Sequence, residues 1–570
     1  MRRLLSAVAL FALFALPLSA GTVRVRLWWQ HPPGEIRLLG GGQAEWRSCP
    51  ACTPHPLVSA EIKAANDHVL LSGAPLRRIL LRGTYDIGAD ATTVHLGWPA
   101  ELRAARGRLL ITVNLPLEEY IAGVLAGEAG GIRQPEALNA MAVAARTYAV
   151  HFRSRHAAEG FDFCDTTHCQ DLRLSTISQR VRDAVARTEG ELVWYQGKPA
   201  ATYYHRSCGG TIEDGQALEP AHAPTPAYLR AHQDSYCIRA GGDEWRGEVS
   251  KHDLQSALRR AGLPTPPRIV EISIASRSPG GRVQSLRLAD GSSATTVAAG
   301  SLRLAVGRTL GWDLIRSDAY QITDLGDRLV FSGRGQGHGV GLCQAGASVM
   351  ADDGHNYREI LRYYFPGTSV GINAQGLNWT MLGDERLEML TMAPEQDRHL
   401  LGTASRVLRE VEQRTGWTML QRPQIRVYPT VDAFRDSTGE PGWVAASTRG
   451  RIVRLQPLQL LRETFASTLL HEFAHIVVEA HAHAGLPLWF REGAVLWIAE
   501  GRVNAQPLTL TLTGLEDAMH APKSERQLRI AYAQCHARVS ELAVQYGDAK
   551  VLSWVENGLP AGLMLAGRQP

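Results

Sequence analysis

Residues 135–152 read PEALNAMAVAARTYAVHF, and this stretch decides the fold. Pro135 suits the first turn of a helix, where a missing N–H costs nothing. Leu138, Met141, Ala145, Ala149 and Phe152 then recur at helical spacing, and the stripe continues to about residue 156. Just upstream, residues 117–125 also read as a helix. Before them the pattern is strand-like. Val23, Val25 and Leu27 alternate with Arg24 and Arg26, the period of a half-buried strand, and short apolar runs such as 79–81 follow between Gly- and Pro-rich breaks. Strand signals return at 192–195, 201–204, 270–274 and 283–288. A Gly-rich loop at 332–341 precedes Tyr363-Tyr364-Phe365-Pro366-Gly367. Residues 371–377 read as a linker. Beyond them come an amphipathic helix over 400–414, a strand at 425–428, an edge-like strand at 451–455, and helices over 461–479 and 488–500. The expectation is an α+β multidomain protein. It has a leader over 1–20, a β-rich region over 21–107, an α+β domain over 108–375 and a C-terminal α/β domain over 376–570.

The 570-residue chain is 45% hydrophobic and 20% charged, with a formal net charge of +4. That composition excludes disorder as the main state. The charge is too small, and too evenly spread, to argue for nucleic acid as a partner. Arg2 and Arg3 precede apolar residues 4–18, and Leu18-Ser19-Ala20 ends in small residues. This reads as an export signal cleaved after about Ala20, placing the protein in the periplasm or cell exterior with no spanning segment left after cleavage. Export permits disulfides. Cys49-Pro50-Ala51-Cys52 is better read as a short-loop disulfide than as half a metal site.

His471-Glu472-Phe473-Ala474-His475 carries the first constellation. Histidines at i and i+4 share one helical face and can reach one zinc ion. Glu472 beside them can take a proton from water on that metal. By composition such a string is expected by chance only ~0.03 times in a chain of this length. Two residues compete as third ligand. His481 would need a turn at Val478, which a β-branched residue disfavours. Glu492 lies on the next helix, in Pro487-Leu488-Trp489-Phe490-Arg491-Glu492-Gly493, and is preferred. Over about 379–501 the sequence resembles the small bacterial gluzincins of the peptidase MA-like family. The resemblance implies a zincin-like metallopeptidase fold, zinc bound by His471, His475 and Glu492, and Glu472 as base. Beyond about residue 502 no motif offers a transition-state stabiliser.

A second constellation surrounds Ala126-Gly127-Glu128. Small neighbours let a bulky polymer approach the Glu128 carboxyl, and a partly closed cleft would raise its pKa toward that of a usable general acid. Around it stand Leu115-Pro116-Leu117-Glu118-Glu119-Tyr120, residues 142–148 (AVAARTY), Cys164-Asp165-Thr166-Thr167-His168-Cys169-Gln170, Tyr203-Tyr204-His205-Arg206-Ser207-Cys208-Gly209-Gly210, Gly335-Gln336-Gly337-His338-Gly339-Val340-Gly341 and Gln344-Ala345-Gly346-Ala347. In this order they resemble the SpoIID/LytB family, which groups sporulation lytic transglycosylases with amidase enhancers, over about 22–370. The resemblance implies that Glu128 is catalytic. Arg146 and Tyr148 would orient it or the sugar, or else pair and pack. His338 lies among glycines that allow a backbone close to a ligand, or serves as a turn histidine. Ser207 and Gln344 are expected to touch substrate, and Tyr203 to stack on a sugar or pack on a strand face.

Cys164 and His168 offer a soft donor set for a second zinc, which some members of that family bind; a Cys164–Cys169 disulfide is the alternative. A Cys208–Cys237 disulfide is expected from export and the family-like Cys-Gly-Gly setting, while Cys343 stands where the family often has Ser. The expected function is an exported enzyme of two activities, acting on peptidoglycan glycan strands and on a peptide or protein substrate. The alternative is a non-catalytic amidase enhancer, with a cell-wall amidase as its partner, joined to a metalloprotease.

Overall fold

The computed structural model describes residues 22–41, 44–90, 92–153, 155–218, 225–373, 376, 379–419, 421–438, 440, 444–483, 485–504, 509–520, 525–560 and 563. The expected leader over 1–20 lies outside the described residues. Among them, no helix is long and apolar enough to cross a membrane.

Two sheets form the N-terminal part. One has seven strands and runs Phe163–Cys164, Thr22–Leu27, Arg108–Pro116, Ala100–Ala105, Ile79–Arg82, Glu45–Arg47, His55–Pro56. The other has six and runs Thr92–Leu96, Tyr85–Ala89, Glu35–Gly40, Ser59–Ala65, His68–Leu71, Ala74–Leu76. The alternation at the start of the chain works as expected, with Val23, Val25 and Leu27 buried between outward-facing Thr22, Arg24 and Arg26. Cys49 and Cys52 are joined in a disulfide.

The expected break at 107/108 falls in the turn between Ala100–Ala105 and Arg108–Pro116, which pair as a hairpin. The β-rich stretch and the helices after it share one hydrophobic core, so they form one body. Strand Arg108–Pro116 runs directly into α1 (Leu117–Glu128), with Pro116 at the junction. α2 (Pro135–His151) follows, and α3 (Gln179–Arg187) packs on both. α2 departs from the single stripe its spacing suggests: every residue from Ala137 to Ala149 is buried. Six of these are alanines, which let neighbours close in on all sides, and a helix so enclosed needs no polar face. It ends at His151 rather than 156.

Residues 244–334 carry a core of their own, built from Trp245, Leu254, Leu258, Leu286, Leu302 and Phe331 among others. Two three-stranded sheets and helices Lys251–Arg260 and Ala299–Leu310 enclose it. The 108–375 stretch therefore contains an inserted unit that periodicity alone did not separate.

The C-terminal sheet has five strands in the order Thr380–Gly383, Glu388–Thr391, Gln424–Val427, Ile452–Leu455, Ala446–Arg449. The expected edge strand is in fact interior. The edge is Ala446–Arg449, antiparallel to Ile452–Leu455, and it packs on helix Phe465–His481. Helix Leu488–Glu500 lies against Phe465–His481 and against Glu525–Tyr546.

Residues 371–377, expected to act as a linker, are flanked by docked structure. Trp379 is buried against Tyr428. Glu189, just beyond α3, accepts hydrogen bonds from Arg426 Nη1 at 3.0 Å and from Arg454 Nη2 at 2.8 Å, all three side chains being buried. Burial raises the Glu189 carboxyl pKa, but Arg454 and Arg426 outweigh it and hold it at about 2. Its contribution is complete above the ordinary carboxylate range and is lost as pH falls toward that value. Glu189→Gln should cost about 3–5 kcal/mol by leaving two guanidiniums buried without their counter-charge. Urea unfolding at neutral pH checks this, and the gap between variant and wild type should narrow in acid.

Candidate functional site

Glu128 is the last residue of α1, and its position rests on a close approach. A Cβ on Gly127 would lie 2.2 Å from the Asp171 carbonyl oxygen, so only glycine lets the 170–172 loop close on the helix. That closure brings the Asp171 N–H to 2.9 Å from Glu128 Oε1. Burial raises the Glu128 carboxyl above its ordinary pKa; the Asp171 N–H lowers it in part, and the Asp171 charge raises it again. A carboxylate at a helix C-terminus also faces the negative end of the dipole. Both effects favour a proton on Glu128.

Glu128 borders a cleft of about 400 Å³ with Ile132, His205, Arg206, Gln336 and Gln344. The lining offers amide, guanidinium and imidazole groups, a set suited to sugar hydroxyls. Asp243 reaches the same cleft from the inserted unit. Asp171, His205, Arg206 and Asp243 were not singled out by sequence. A partial signal existed in the Tyr-His-Arg string and in the residue after Gln170, but nothing along the chain shows that they converge.

The other expected substrate contacts divide. Gln344 lies on the cleft wall. Tyr148 lies beside Tyr203 and Tyr204, its hydroxyl accepting from Arg155 Nη1 at 2.8 Å, and burial raises its pKa, with a smaller contribution from the Glu128 charge. Tyr203 packs among Tyr148, Phe152 and His338. His338 Nδ1 accepts from Val340 N at 3.1 Å, and burial holds its pKa down at about 3, so the ring is neutral.

Two expectations are corrected. Arg146 is 1% exposed. It donates from Nε and Nη2 to Glu118 at 2.8 and 2.6 Å and also reaches Thr188 Oγ1 and the carbonyls of Val185 and Glu191. Its donors are used inside the fold, so it positions α1 rather than touching sugar. Ser207 is fully buried, with Oγ 3.3 Å from Cys237 Sγ, and does not face the cleft. The glycines of 335–341 likewise approach the chain's own strand. A Cβ on Gly341 would meet the Tyr203 carbonyl at 2.1 Å.

The loop that holds Glu128 carries a donor cluster. Cys164, His168 and Cys169 meet His156, their ligand atoms all within 4.8 Å of one another. Cys169 Sγ lies 3.3 Å from His156 Nε2, and Cys164 Sγ 3.7 Å from His168 Nδ1. Both cysteines are free thiols, so the alternative Cys164–Cys169 disulfide is not formed. His156 Nδ1 is 2.6 Å from Glu159 Oε1, which fixes the orientation of the imidazole. His156 was not legible as a ligand, since it lies on a different segment from Cys164.

In the C-terminal domain, His471 Nε2 and His475 Nε2 are 3.1 Å apart. Glu492 Oε2 is 3.7 Å from His475 Nε2 and, though buried, has no hydrogen-bond partner among the described residues. Burial lowers His471 to about 4 and His475 to about 3, and with neighbouring carboxylates raises Glu492 to about 7. Glu472 accepts from Thr448 Oγ1 at 2.6 Å on the edge strand, and burial outweighs that bond to raise it to about 7. The helix runs unbroken through His481, whose ring stacks on Trp417 and whose Nδ1 faces Glu556 at 3.9 Å. Tyr532, on Glu525–Tyr546, has its pKa raised by burial, then by the charges of Glu492, Cys535 and Glu472.

Residues 105–195 match the family described as Stage II sporulation protein, SpoIID. Residues 243–341, the inserted unit and the loop after it, match a domain of unknown function, DUF8618. An uncharacterized protein of Brachyspira hyodysenteriae is 31% identical over 264 residues, 46% of this chain and 68% of its own length. Stage II sporulation protein D of Bacillus subtilis is 28% identical over 274 residues, 45% of this chain and 75% of its own length. The amidase enhancer of Bacillus subtilis is 25% identical over 295 residues, 44% and 40% respectively.

Gly127→Ala should push the Asp171 loop off α1 and cost about 1–3 kcal/mol, as overpacking does. Urea unfolding measures it, and an unchanged midpoint would show that the loop is not clamped there.

Proposed function

The chain belongs to the SpoIID family, and from that premise we propose that it is an exported peptidoglycan-remodelling protein that cleaves glycan strands with Glu128 as general acid and base. The supporting observation is the placement of Glu128: a carboxyl at a polar cleft, held by one backbone N–H and biased toward its protonated form. The protonated carboxyl gives its proton to the glycosidic oxygen as the C1–O bond breaks. The resulting carboxylate takes the proton of the muramic acid 6-hydroxyl, whose oxygen attacks C1. The product is a 1,6-anhydro sugar, Glu128 regains its proton, and no water is consumed. A single carboxylate suffices, unlike the paired carboxylates of glycoside hydrolysis.

We further propose that zinc is held at two places where the donors fit. His156, Cys164, His168 and Cys169 form a closed Cys₂His₂ set of the structural kind. His471, His475 and Glu492 form a three-ligand set, supported by the converging imidazoles and the orphaned Glu492 oxygen. Zinc bound there would act as a Lewis acid on a peptide carbonyl. Glu472, raised to about 7 and oriented by Thr448, is suited to accept and return a proton near neutral pH. A peptidase of this kind would act on stem peptides or envelope proteins.

Glu128→Gln should fold, keep the Asp171 bond and form no anhydro-muropeptides when the full chain is incubated with peptidoglycan and the products are read by mass spectrometry. Wild-type yield from the variant would remove Glu128 as the acid. Glycan binding without new products from wild type would favour the enhancer reading, which the likeness to an amidase enhancer supports. Wild-type cleavage should fall as pH rises through the raised Glu128 pKa, because the acid form starts the reaction. The same shift destabilises the fold as pH rises through that range, so Glu128→Gln should melt higher than wild type at neutral pH.

Metal analysis addresses the C-terminal set. Glu492→Ala should lose about one equivalent of zinc per chain, and His481→Ala should lose none. Glu472→Gln should keep the metal while losing peptidase activity. Zinc kept in Glu492→Ala but lost in His481→Ala would overturn the ligand set.

A further inference from the structure

Behind the cleft wall lies a second cluster of sulfur and oxygen donors. Cys208, Asp234, Cys237 and Cys343 are each at most 4% exposed, and their ligand atoms all lie within 4.8 Å of one another. All three cysteines are free thiols, so the Cys208–Cys237 disulfide expected from sequence is not formed. Three separate segments supply the donors: the chain after strand Tyr204–His205, the first turn of helix Ser235–Arg239, and the residue before helix Gln344–Asp352.

The sulfurs both give and receive hydrogen bonds: Cys208 Sγ donates to Asp234 Oδ2 at 3.3 Å and Cys343 Sγ to the Arg206 carbonyl at 4.0 Å, while backbone N–H groups point at all three. Cys208 Sγ accepts from Gly210 N at 3.3 Å. Cys343 Sγ accepts from Cys208 N at 3.3 Å and from Gly346 N at 3.4 Å. Cys237 Sγ accepts from the backbone N–H of Gly209 and lies 3.3 Å from Ser207 Oγ. Asp234 is oriented by Tyr236 N and Cys237 N, both at 3.1 Å, and by Tyr364 OH at 3.1 Å on Oδ2, the oxygen that lies 3.3 Å from Cys208 Sγ. A thiol is a poor acceptor, and backbone donors converging on three buried sulfurs fit sulfur that carries charge. Several negative groups in a dry interior need a cation. Arg282 donates to the Cys208 carbonyl at 2.7 Å and to the Gly337 carbonyl at 3.2 Å, so its hydrogen bonds go to backbone oxygens.

A disulfide answers this poorly. Joining any two of the three sulfurs would leave the third unpaired beside Asp234. A tetrahedral ion uses all four donors, and three thiolates with one carboxylate suit a borderline-soft divalent cation.

We propose that Cys208, Asp234, Cys237 and Cys343 form a closed, structural zinc site that ties together the wall of the glycan cleft. The ligands adjoin residues that line the cleft: Arg206 is two residues from Cys208, and Gln344 directly follows Cys343. The ion fixes the spacing of these side chains and takes no part in bond making. The site is separate from the His156 cluster and from the HExxH helix and stands whether or not either of those binds metal.

The test uses the full chain, purified without chelator, and zinc as the probe. Cys343→Ser is the informative variant, because a Ser hydroxyl can accept the same Gly346 N–H and keep the helix capped. Bound zinc should fall by about one equivalent per chain relative to wild type. The Tm should drop, and added zinc should restore the Tm of wild type stripped by chelator but not that of the variant. Asp234→Asn should weaken retention during dialysis against chelator, and because it alters no sulfur it separates a metal site from a thiol-pairing effect. Non-reducing peptide mapping of unmodified wild type needs no variant to fold. Any disulfide among Cys208, Cys237 and Cys343 in the bulk of the protein, or equal zinc in wild type and Cys343→Ser, would overturn the proposal.

Discussion

The Arg146–Glu118 clamp is the interaction on which the rest of the body that carries Glu128 depends. An arginine in the middle of an enclosed helix is tolerable only when its donors are satisfied and its charge is countered. Glu118 meets it with both oxygens, and the carbonyls of Val185 and Glu191 take much of the remainder. The clamp thereby fixes α1 against α2 and fixes the end of α3 against the strand that follows. α1 then carries Glu128 out to the cleft at its far end, about three turns from Glu118. The placement of Glu128 is in this sense inherited from a salt bridge whose arginine is fully enclosed and whose carboxylate is partly exposed.

What could be read from the chain, and what could not, follows from this arrangement. The HExxH pair and the helix bearing Glu492 were legible because their spacing is local and helical. Glu128 was singled out because several strings occur in order around it; the smallness of Gly127, read as room for a polymer, instead admits the Asp171 loop. Of the two roles open to Arg146, the structure shows pairing and packing, which spacing alone could not decide because it places a residue on a helix without showing that every face of that helix is covered. Ser207 was misassigned because the sequence does not show that the chain after strand Tyr204–His205 turns inward. His156 and Asp234 were missed as donors because loop closure, not sequence proximity, brings them to their partners. The inserted unit over 244–334 was missed because its strands look like any others; only the separation of its core from the main one reveals it.

The two halves of the chain meet through Glu189, Arg426 and Arg454. This contact lies two residues from the Glu191 carbonyl that helps hold Arg146. The C-terminal sheet is therefore docked onto the same turn that braces the helix carrying Glu128. Trp379 adds an apolar seal, with its indole N–H 3.4 Å from the Glu189 carbonyl and the Arg426 guanidinium over its ring. A buried charge triad of this kind is a poor source of net stability compared with apolar packing, but it is strict about geometry. Its presence between the two halves argues for one fixed arrangement rather than two tethered bodies.

The loop over 164–172 shows how a donor cluster and the cleft carboxyl of Glu128 can be made interdependent. Its first part pairs with strand Thr22–Leu27 and presents Cys164, His168 and Cys169 to His156. Gln170 then bonds Tyr120 of α1 and Tyr204 of the cleft strand. Asp171 finally delivers its N–H to Glu128. The loop has little regular secondary structure, so these anchors must supply the rigidity that a ladder would otherwise give. A general acid needs its proton-bearing oxygen held in place while its pKa stays high, and those demands conflict when the holding group is a strong donor, because each added donor lowers the pKa. One backbone N–H on one oxygen is a compromise between the two. The anchoring is moved upstream, to sulfur, imidazole and the Gln170 amide, where it does not act directly on the acid.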